Sequence, residues 1–162
     1  MQESRTIVWS DVTDTFRRDG VDYTADMAGV LGISRQAFKR WSSAADAPVP
    51  RHVELSLHGY VAWRTTFGGL PGLPEPTVSW FRSWAVANDL ITLDDMGGAL
   101  GRSRPTVCGW LSSGRFPSWV VLACIGHGVV AKHRPAVDRR PTAPDTVSGE
   151  SETNAEPIGE PT

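Results

Sequence analysis

The sequence of 162 residues lacks the features of a membrane, secreted or disulfide-bonded protein. Its longest apolar run, residues 119–125, has seven residues, whereas a membrane-spanning helix needs about 20. The N-terminus carries charge but no apolar segment follows it, so we expect no secretory signal. Two cysteines cannot form a disulfide framework, and so few are typical of a reducing compartment. We therefore expect a cytoplasmic protein that makes no membrane contact.

The net charge of −2 is unevenly distributed along the chain. Residues 135–162 carry two basic and six acidic residues, with five prolines and no aromatic residue. Such a stretch buries too little apolar surface to offset its ordering entropy, which predicts a disordered acidic tail. Residues 1–134 carry fourteen basic and twelve acidic residues. The overall acidity therefore does not exclude binding to nucleic acid.

An internal repeat is the most informative feature of the sequence. Residues 26–43 align without gaps to residues 95–112, and nine of the eighteen positions are identical. Between the copies, residues 68–76 hold three glycines and three prolines, too many for a helix or a strand. The sequence thus predicts a first module at 5–67, a linker at 68–75 and a second module at 76–134. Beyond a two-residue shortening, Pro50, Val53, Leu55 and Gly59 correspond to Pro117, Val120, Leu122 and Gly126.

The spacing of apolar residues predicts four to five helices in each module and an all-α fold. Val8, Val12 and Phe16 recur every four residues, and no segment shows sustained alternation. Two short helices at 24–31 and 35–42 follow, separated by Gly32 and Ser34, residues that suit a helix end and a helix start. Pro50 opens a longer helix. One face of that helix is predicted to hold Val53, Leu57, Tyr60 and Val61. In the second module, helices are expected from Val78 and over 94–100, 103–111 and 117–132.

Two short helices joined by a glycine-containing turn form a helix-turn-helix. The residues concerned are Gly32-Ile-Ser-Arg-Gln-Ala-Phe-Lys-Arg-Trp41, and Gly101-Arg-Ser-Arg-Pro-Thr-Val-Cys-Gly-Trp110 followed by Gly114-Arg-Phe-Pro117. Both resemble the helix-turn-helix of the lambda-repressor-like (Cro/Xre) family, common among phage and bacterial regulators. The resemblance covers roughly residues 5–134. It implies that 35–43 and 104–112 are recognition helices that enter the major groove.

The resemblance also implies which side chains contact DNA. Gln36 has the amide geometry to pair with adenine, Arg35 or Arg104 can pair with guanine, and Thr106 can touch a thymine methyl group. Hydroxyl and basic side chains around them suit phosphate. The full candidate set is Ser34, Arg35, Gln36, Lys39, Arg40, Ser43, Arg102, Ser103, Arg104, Thr106 and Arg115.

The second copy departs from this pattern in its recognition helix. Pro105, Cys108 and Gly109 stand where the first copy has Gln36, Lys39 and Arg40. We therefore expect it to read bases poorly. It is expected either to bind DNA weakly or to serve a homodimer or a protein partner.

No metal, cofactor, small-molecule or catalytic site is expected. Cys108, Cys124, His127 and His133 match no zinc spacing, and the repeat aligns Cys108 with an outer position and Cys124 with a core position. No serine or cysteine with an acidic partner forms a triad around a histidine, so we expect a protein that is not an enzyme.

The function expected from the sequence is that of a transcriptional regulator of phage or prophage type that binds double-stranded DNA. Two alternatives stay open. One is a protein-interaction module, such as an anti-repressor, an antitoxin or an inhibitor, which the acidic first helix and tail favour. The other is an architectural phage DNA-binding protein.

Overall fold

A computed structural model describes residues 6–21, 24–70 and 72–133, and these residues form eight helices. The helices are α1 (Trp9–Arg18), α2 (Thr24–Leu31), α3 (Arg35–Ser42), α4 (Arg51–Phe67), α5 (Val78–Ala87), α6 (Leu93–Leu100), α7 (Arg104–Ser113) and α8 (Trp119–His133). Within these three ranges the extended pairing is limited to an isolated bridge between Val8 and Pro48. The predicted all-α class is confirmed, whereas the predicted tail at 135–162 lies outside the described residues.

Local sequence signals set the ends of these helices. The hydroxyl of Ser34 accepts a hydrogen bond from the Ala37 N–H at 3.1 Å and so caps the start of α3. Thr92 and Asp95 form a capping box at the start of α6, and the hydrogen bonds from Thr92 hold the pKa of Asp95 below its ordinary value. Gly101 follows α6 in the left-handed conformation, with φ +65°. The bounds predicted for α2 and α3 agree with the structure.

The first half of the chain, α1–α4, surrounds one core. Val12, Phe16 and Leu31 are fully buried there, and the edge of Phe38 packs against Trp9 with ring centroids 6.0 Å apart. Val61 was predicted to share the buried face of α4, but it is 42% exposed.

The predicted linker is not detached from this core. Leu70 and Leu73, which lie between α4 and α5, are partly buried against it.

The second half, α5–α8, surrounds a second core that contains Phe81, Ala85, Leu100 and Val107. Each core also takes a leucine from the other half. Leu122 of α8 is buried in the first core and Leu55 of α4 is buried in the second. Since these two leucines occupy corresponding positions of the repeat, the exchange is reciprocal.

Helices α4 and α8 run parallel and approach each other closely at two glycines. Gly59 and Gly126 lie at the contact, and a Cβ added to either would overlap the carbonyl oxygen of Leu122 or Leu55. Toward the N-terminal ends of the same helices, His52 packs on Trp119 with ring centroids 5.4 Å apart. Corresponding residues therefore meet at two points along the helices, which only a parallel arrangement allows.

No helix among the described residues is both long and apolar enough to cross a lipid bilayer.

Candidate nucleic-acid interface

Helix α3 exposes one polar face and buries the other. Phe38 is 4% exposed and Trp41 is partly buried against Trp9, with ring centroids 5.5 Å apart. These aromatic contacts fix the rotation of α3 about its axis. The opposite face of α3 is therefore turned toward the solvent. All six candidates from the first copy are exposed, namely Ser34, Arg35, Gln36, Lys39, Arg40 and Ser43.

Local contacts orient Arg40 and Ser43, in addition to the cap that Ser34 forms. The Arg40 guanidinium carbon lies 5.6 Å from the centroid of the Trp41 ring, a cation–π geometry that favours one direction for the charge. The Ser43 hydroxyl donates a hydrogen bond to the Arg40 carbonyl oxygen at 2.7 Å. The exposed face of α3 thus combines an amide, three cations and hydroxyl groups within about two helical turns.

Helix α7 presents a sparser face. Ser103, Arg104 and Arg115 are exposed, as predicted for a binding surface. Arg104 forms an ion pair with Asp94 at 3.4 Å, with both side chains about two-thirds exposed. An exposed pair of this kind is weak and can be exchanged for a phosphate contact.

Thr106 and Arg102 lie differently from the other candidates. Thr106 is half-buried, and its hydroxyl shares a hydrogen bond with the Ser103 hydroxyl at 2.9 Å. Arg102 is half-buried as well, with its guanidinium carbon 4.8 Å from the centroid of the Trp119 ring. Burial lowers the pKa of Arg102. The structure therefore places Arg102 against α8 and away from the exposed row of α7.

Charge along the chain separates these faces from the rest of the surface. Residues 27–45 contain three basic and no acidic residues, and so do residues 96–118. Three acidic residues of the first half lie on α1 or just beyond it, at Asp11, Asp14 and Asp19, and others lie on α2, after α3 and on α4, at Asp26, Asp46 and Glu54. Each candidate helix thus lies within a segment that has no acidic residue, which favours the approach of a polyanion. At α7 the carboxylate of Asp94 on α6 lies beside Arg104 and offsets part of this effect.

The turns that precede α3 and α7 lie at one end of the α4–α8 pair. Gly32, with φ +67°, abuts the Trp119 indole at the start of α8. A Cβ on Gly101 would lie 2.6 Å from Cβ of Arg51 at the start of α4. Each turn therefore contacts the fourth helix of the opposite half. Since Trp119 and His52 touch each other, α3 and α7 begin close together at the same end of the molecule.

His52 and Trp119 hold this junction, and sequence reasoning did not identify them. His52 is 6% exposed and Trp119 is 5% exposed. Burial, with Arg102 nearby, lowers the pKa of His52 to about 4, so the imidazole is neutral at pH 7. The repeat contained a signal for this contact, because the alignment that pairs Gly59 with Gly126 also pairs His52 with Trp119.

The cysteines do not lie together. Cys108 is exposed and Cys124 is buried, as the repeat alignment predicts. Among the residues the structure describes, no group of three or more His, Cys, Asp or Glu side chains is arranged to hold a metal ion.

Compared with protein-family models, with curated proteins and with solved structures, the chain gives no match.

Proposed function

We propose that this protein is a cytoplasmic transcriptional regulator of phage type that binds double-stranded DNA sequence-specifically. In this proposal α2–α3 and α6–α7 are two helix-turn-helix units of the lambda-repressor-like kind, in modules at 5–67 and 76–134. The observation that carries the proposal is the pair of exposed, acid-free helices, α3 and α7, that begin at one end of the parallel α4–α8 pair.

The contacts between corresponding residues support a two-fold arrangement of the modules. A two-fold axis along α4 and α8 relates His52 to Trp119, Leu55 to Leu122 and Gly59 to Gly126. Rotation about a two-fold axis leaves the direction along that axis unchanged. The surfaces of α3 and α7, which lie at the same end of the axis, therefore face the same way. The chain would thus present two recognition helices that are related by a two-fold axis and joined covalently.

Within each half the roles follow from the side chains. Gln36 and Arg35 are the base readers of α3, and Lys39 and Arg40 contact phosphate. In α7, Arg104 is the reader, Arg115 contacts phosphate, and Arg102 acts by packing on Trp119. The half-sites are therefore expected to be unequal, with the stronger sequence preference under α3.

The first test is selection of bound duplexes from a random DNA library by the full chain at moderate salt, followed by sequencing. Enrichment of a motif with two inverted, unequal blocks is expected. If a folded sample enriches no motif, regulation through sequence-specific binding is refuted, and the protein-interaction alternative gains support.

The second test assigns the contacts on the selected duplex. Gln36→Ala is expected to cost about 1–3 kcal/mol and to relax the preference in one block. Lys39→Ala should instead weaken binding to all sequences and reduce the slope of log K against log salt by about 1. Lys132→Ala is the matched control. It removes the same charge from the opposite end of α8, about 20 Å from Trp119, and should leave both quantities unchanged.

A further inference from the structure

The second half carries an exposed apolar groove formed by α5, α6 and Leu111 near the end of α7. The groove has a volume of about 530 Å³ and lies between the end of α5 and the start of α6. Val86 is 77% exposed and Ile91 is 87% exposed at its edge. The apolar lining continues with Leu90, Leu93, Met96 and Leu111. Such a patch lowers the solubility of a monomer and is typical of a surface that contacts another protein.

The first half has the corresponding groove, which is more polar, with Met27, Phe38 and Ala45 as its apolar lining. It has a volume of about 450 Å³, and Arg17, Thr24 and Ser42 line it. These residues precede Val86, Leu93 and Leu111 by 69 positions each. Arg17 is also paired with Asp14 at 3.7 Å. Leu90, Leu93, Met96 and Leu111 also belong to the second core or pack on it. Val86 and Ile91 remain largely exposed, so burial within the chain does not account for these two apolar side chains.

The charges beside the apolar groove indicate its occupant. Arg82 and Val86 lie one turn apart on α5, and Asp89 lies in the turn that follows the helix. All three line the groove and form a stripe along it. Arg82 and Asp89 are exposed, and neither side chain has a hydrogen bond or ion pair within the described part of the chain. The stripe therefore consists of a positive, an apolar and a negative side chain in that order, namely Arg82, Val86 and Asp89.

Asp89 supports a role for the negative end of this stripe. Asp89 has φ +57° and is the one non-glycine residue in the described ranges with a positive φ. The corresponding residue of the first half is Gly20, with φ +71°. A left-handed residue other than glycine is unfavourable, although aspartate tolerates this conformation better than most. The second half therefore carries a carboxylate at a position that the fold fills more easily with glycine.

We propose that the apolar groove binds a second copy of this chain, with α5 packed antiparallel against α5 of that copy. A two-fold axis beside Val86 brings Arg82 opposite Asp89 of the second copy and repeats the pair on the other side, which is the self-complementarity an isologous interface requires. The patch is smaller than the roughly 800 Å² per partner of a stable complex, so the dimer is weak. The proposal goes beyond DNA binding and does not depend on it.

Sedimentation velocity of the full chain without DNA tests the proposal. Between about 10 and 500 μM the wild type is expected to shift from monomer to dimer. Val86→Arg installs the residue of the corresponding, more polar groove at an exposed site, and it should keep the chain monomeric with an unchanged circular dichroism spectrum. Lys132→Glu changes charge outside the groove and should dimerise as the wild type does. A wild type that stays monomeric, or a Val86→Arg chain that dimerises equally well, overturns the proposal and leaves the groove to a different protein.

Charge reversal tests the register. Arg82→Glu and Asp89→Lys should each weaken dimerisation, because each homodimer then faces two like-charge pairs. An equimolar mixture of the two variants should dimerise at least tenfold more tightly than either alone, because both pairs are again of opposite charge. If lysine at the left-handed position unfolds the chain, Asp89→Asn removes the charge and should weaken the dimer on its own. A mixture no tighter than its components, or an asparagine variant as tight as the wild type, contradicts the antiparallel arrangement.

Discussion

Replacing Gly126 with alanine adds one methyl group at the closest approach of α4 and α8. The new Cβ would lie 2.8 Å from the carbonyl carbon of Leu55 and 2.9 Å from the nitrogen of Gly59, against 3.4–4 Å for an ordinary contact. Both neighbours are backbone atoms, which cannot rotate away as a side chain does. The two helices must therefore separate, and the leucines exchanged between the two cores are drawn out of place.

The magnitude follows from two opposing effects. Overpacking a close contact costs about 1–3 kcal/mol, and the upper end applies where backbone opposes backbone. Alanine in a helix interior offsets about 1 kcal/mol of this through its better helix propensity. Gly126→Ala is thus expected to lower the free energy of unfolding by about 2 kcal/mol.

Gly128→Ala is the matched control, because it lies in the same helix two positions away. No atom lies within 4 Å of a Cβ added there, so only the propensity effect applies and the chain should gain about 0.5–1 kcal/mol. The difference of about 3 kcal/mol corresponds to roughly 10 °C in Tm for a domain of this size.

Thermal and urea unfolding followed by circular dichroism at 222 nm measure both variants. The shared cores predict one cooperative transition for the wild type. If the two alanine variants melt within about 2 °C of each other, the close parallel packing of α4 on α8 is wrong, and with it the fixed placement of α3 relative to α7.

Two further predictions concern the buried junction and the cysteines. Because folding lowers the pKa of His52 from 6.5 to about 4, its neutral form stabilises the fold above about pH 6.5, and at most about 3 kcal/mol is lost as the pH falls toward 4. The drop in unfolding free energy between pH 7 and pH 4.5 should therefore be smaller by roughly 2 kcal/mol in His52→Gln; equal drops in both chains would count against a buried, neutral His52. Cys108 is exposed, whereas Cys124 is buried and burial raises the pKa of its thiol. Ellman's reagent should titrate one thiol per folded chain and two after unfolding, and two fast thiols in the folded chain would contradict the burial of Cys124.

The sequence predicted the features that local chemistry controls. Ser34 caps α3 and Gly32 follows α2 wherever the helices pack, so the bounds of these helices could be read from the chain. The six candidates on α3 and its ends, which the resemblance implied, are all exposed. Arg102 is half-buried instead, because its position depends on Trp119, which lies on a helix seventeen residues away.

The exchange of leucines between the cores could not be read from periodicity. An apolar spacing shows that Leu55 faces a core, but it does not show to which half that core belongs. The glycines were a usable signal, because Gly59 and Gly126 occupy one repeat position within two otherwise apolar helices, where glycine costs stability unless another backbone approaches. The glycines and prolines of the linker allow either a rigid or a free arrangement of the modules, and in the structure Leu70 and Leu73 pack on the first core.

The differences between the two halves bear on function because the halves share a repeated sequence and each contains four helices. Positions that folding requires are retained in both, among them the left-handed glycines at 32 and 101 and the close-packed glycines at 59 and 126. Two surfaces differ in polarity between the halves, namely the exposed helix face and the groove. The first half has the richer polar face on α3 and a more polar groove, and the second half has the poorer face on α7 and an apolar groove. The side chains that stay exposed on these surfaces, such as Lys39 and Val86, are not buried in either core. They are best explained by what they contact, which on our proposals is chiefly DNA for the first half and a second copy of the chain for the second.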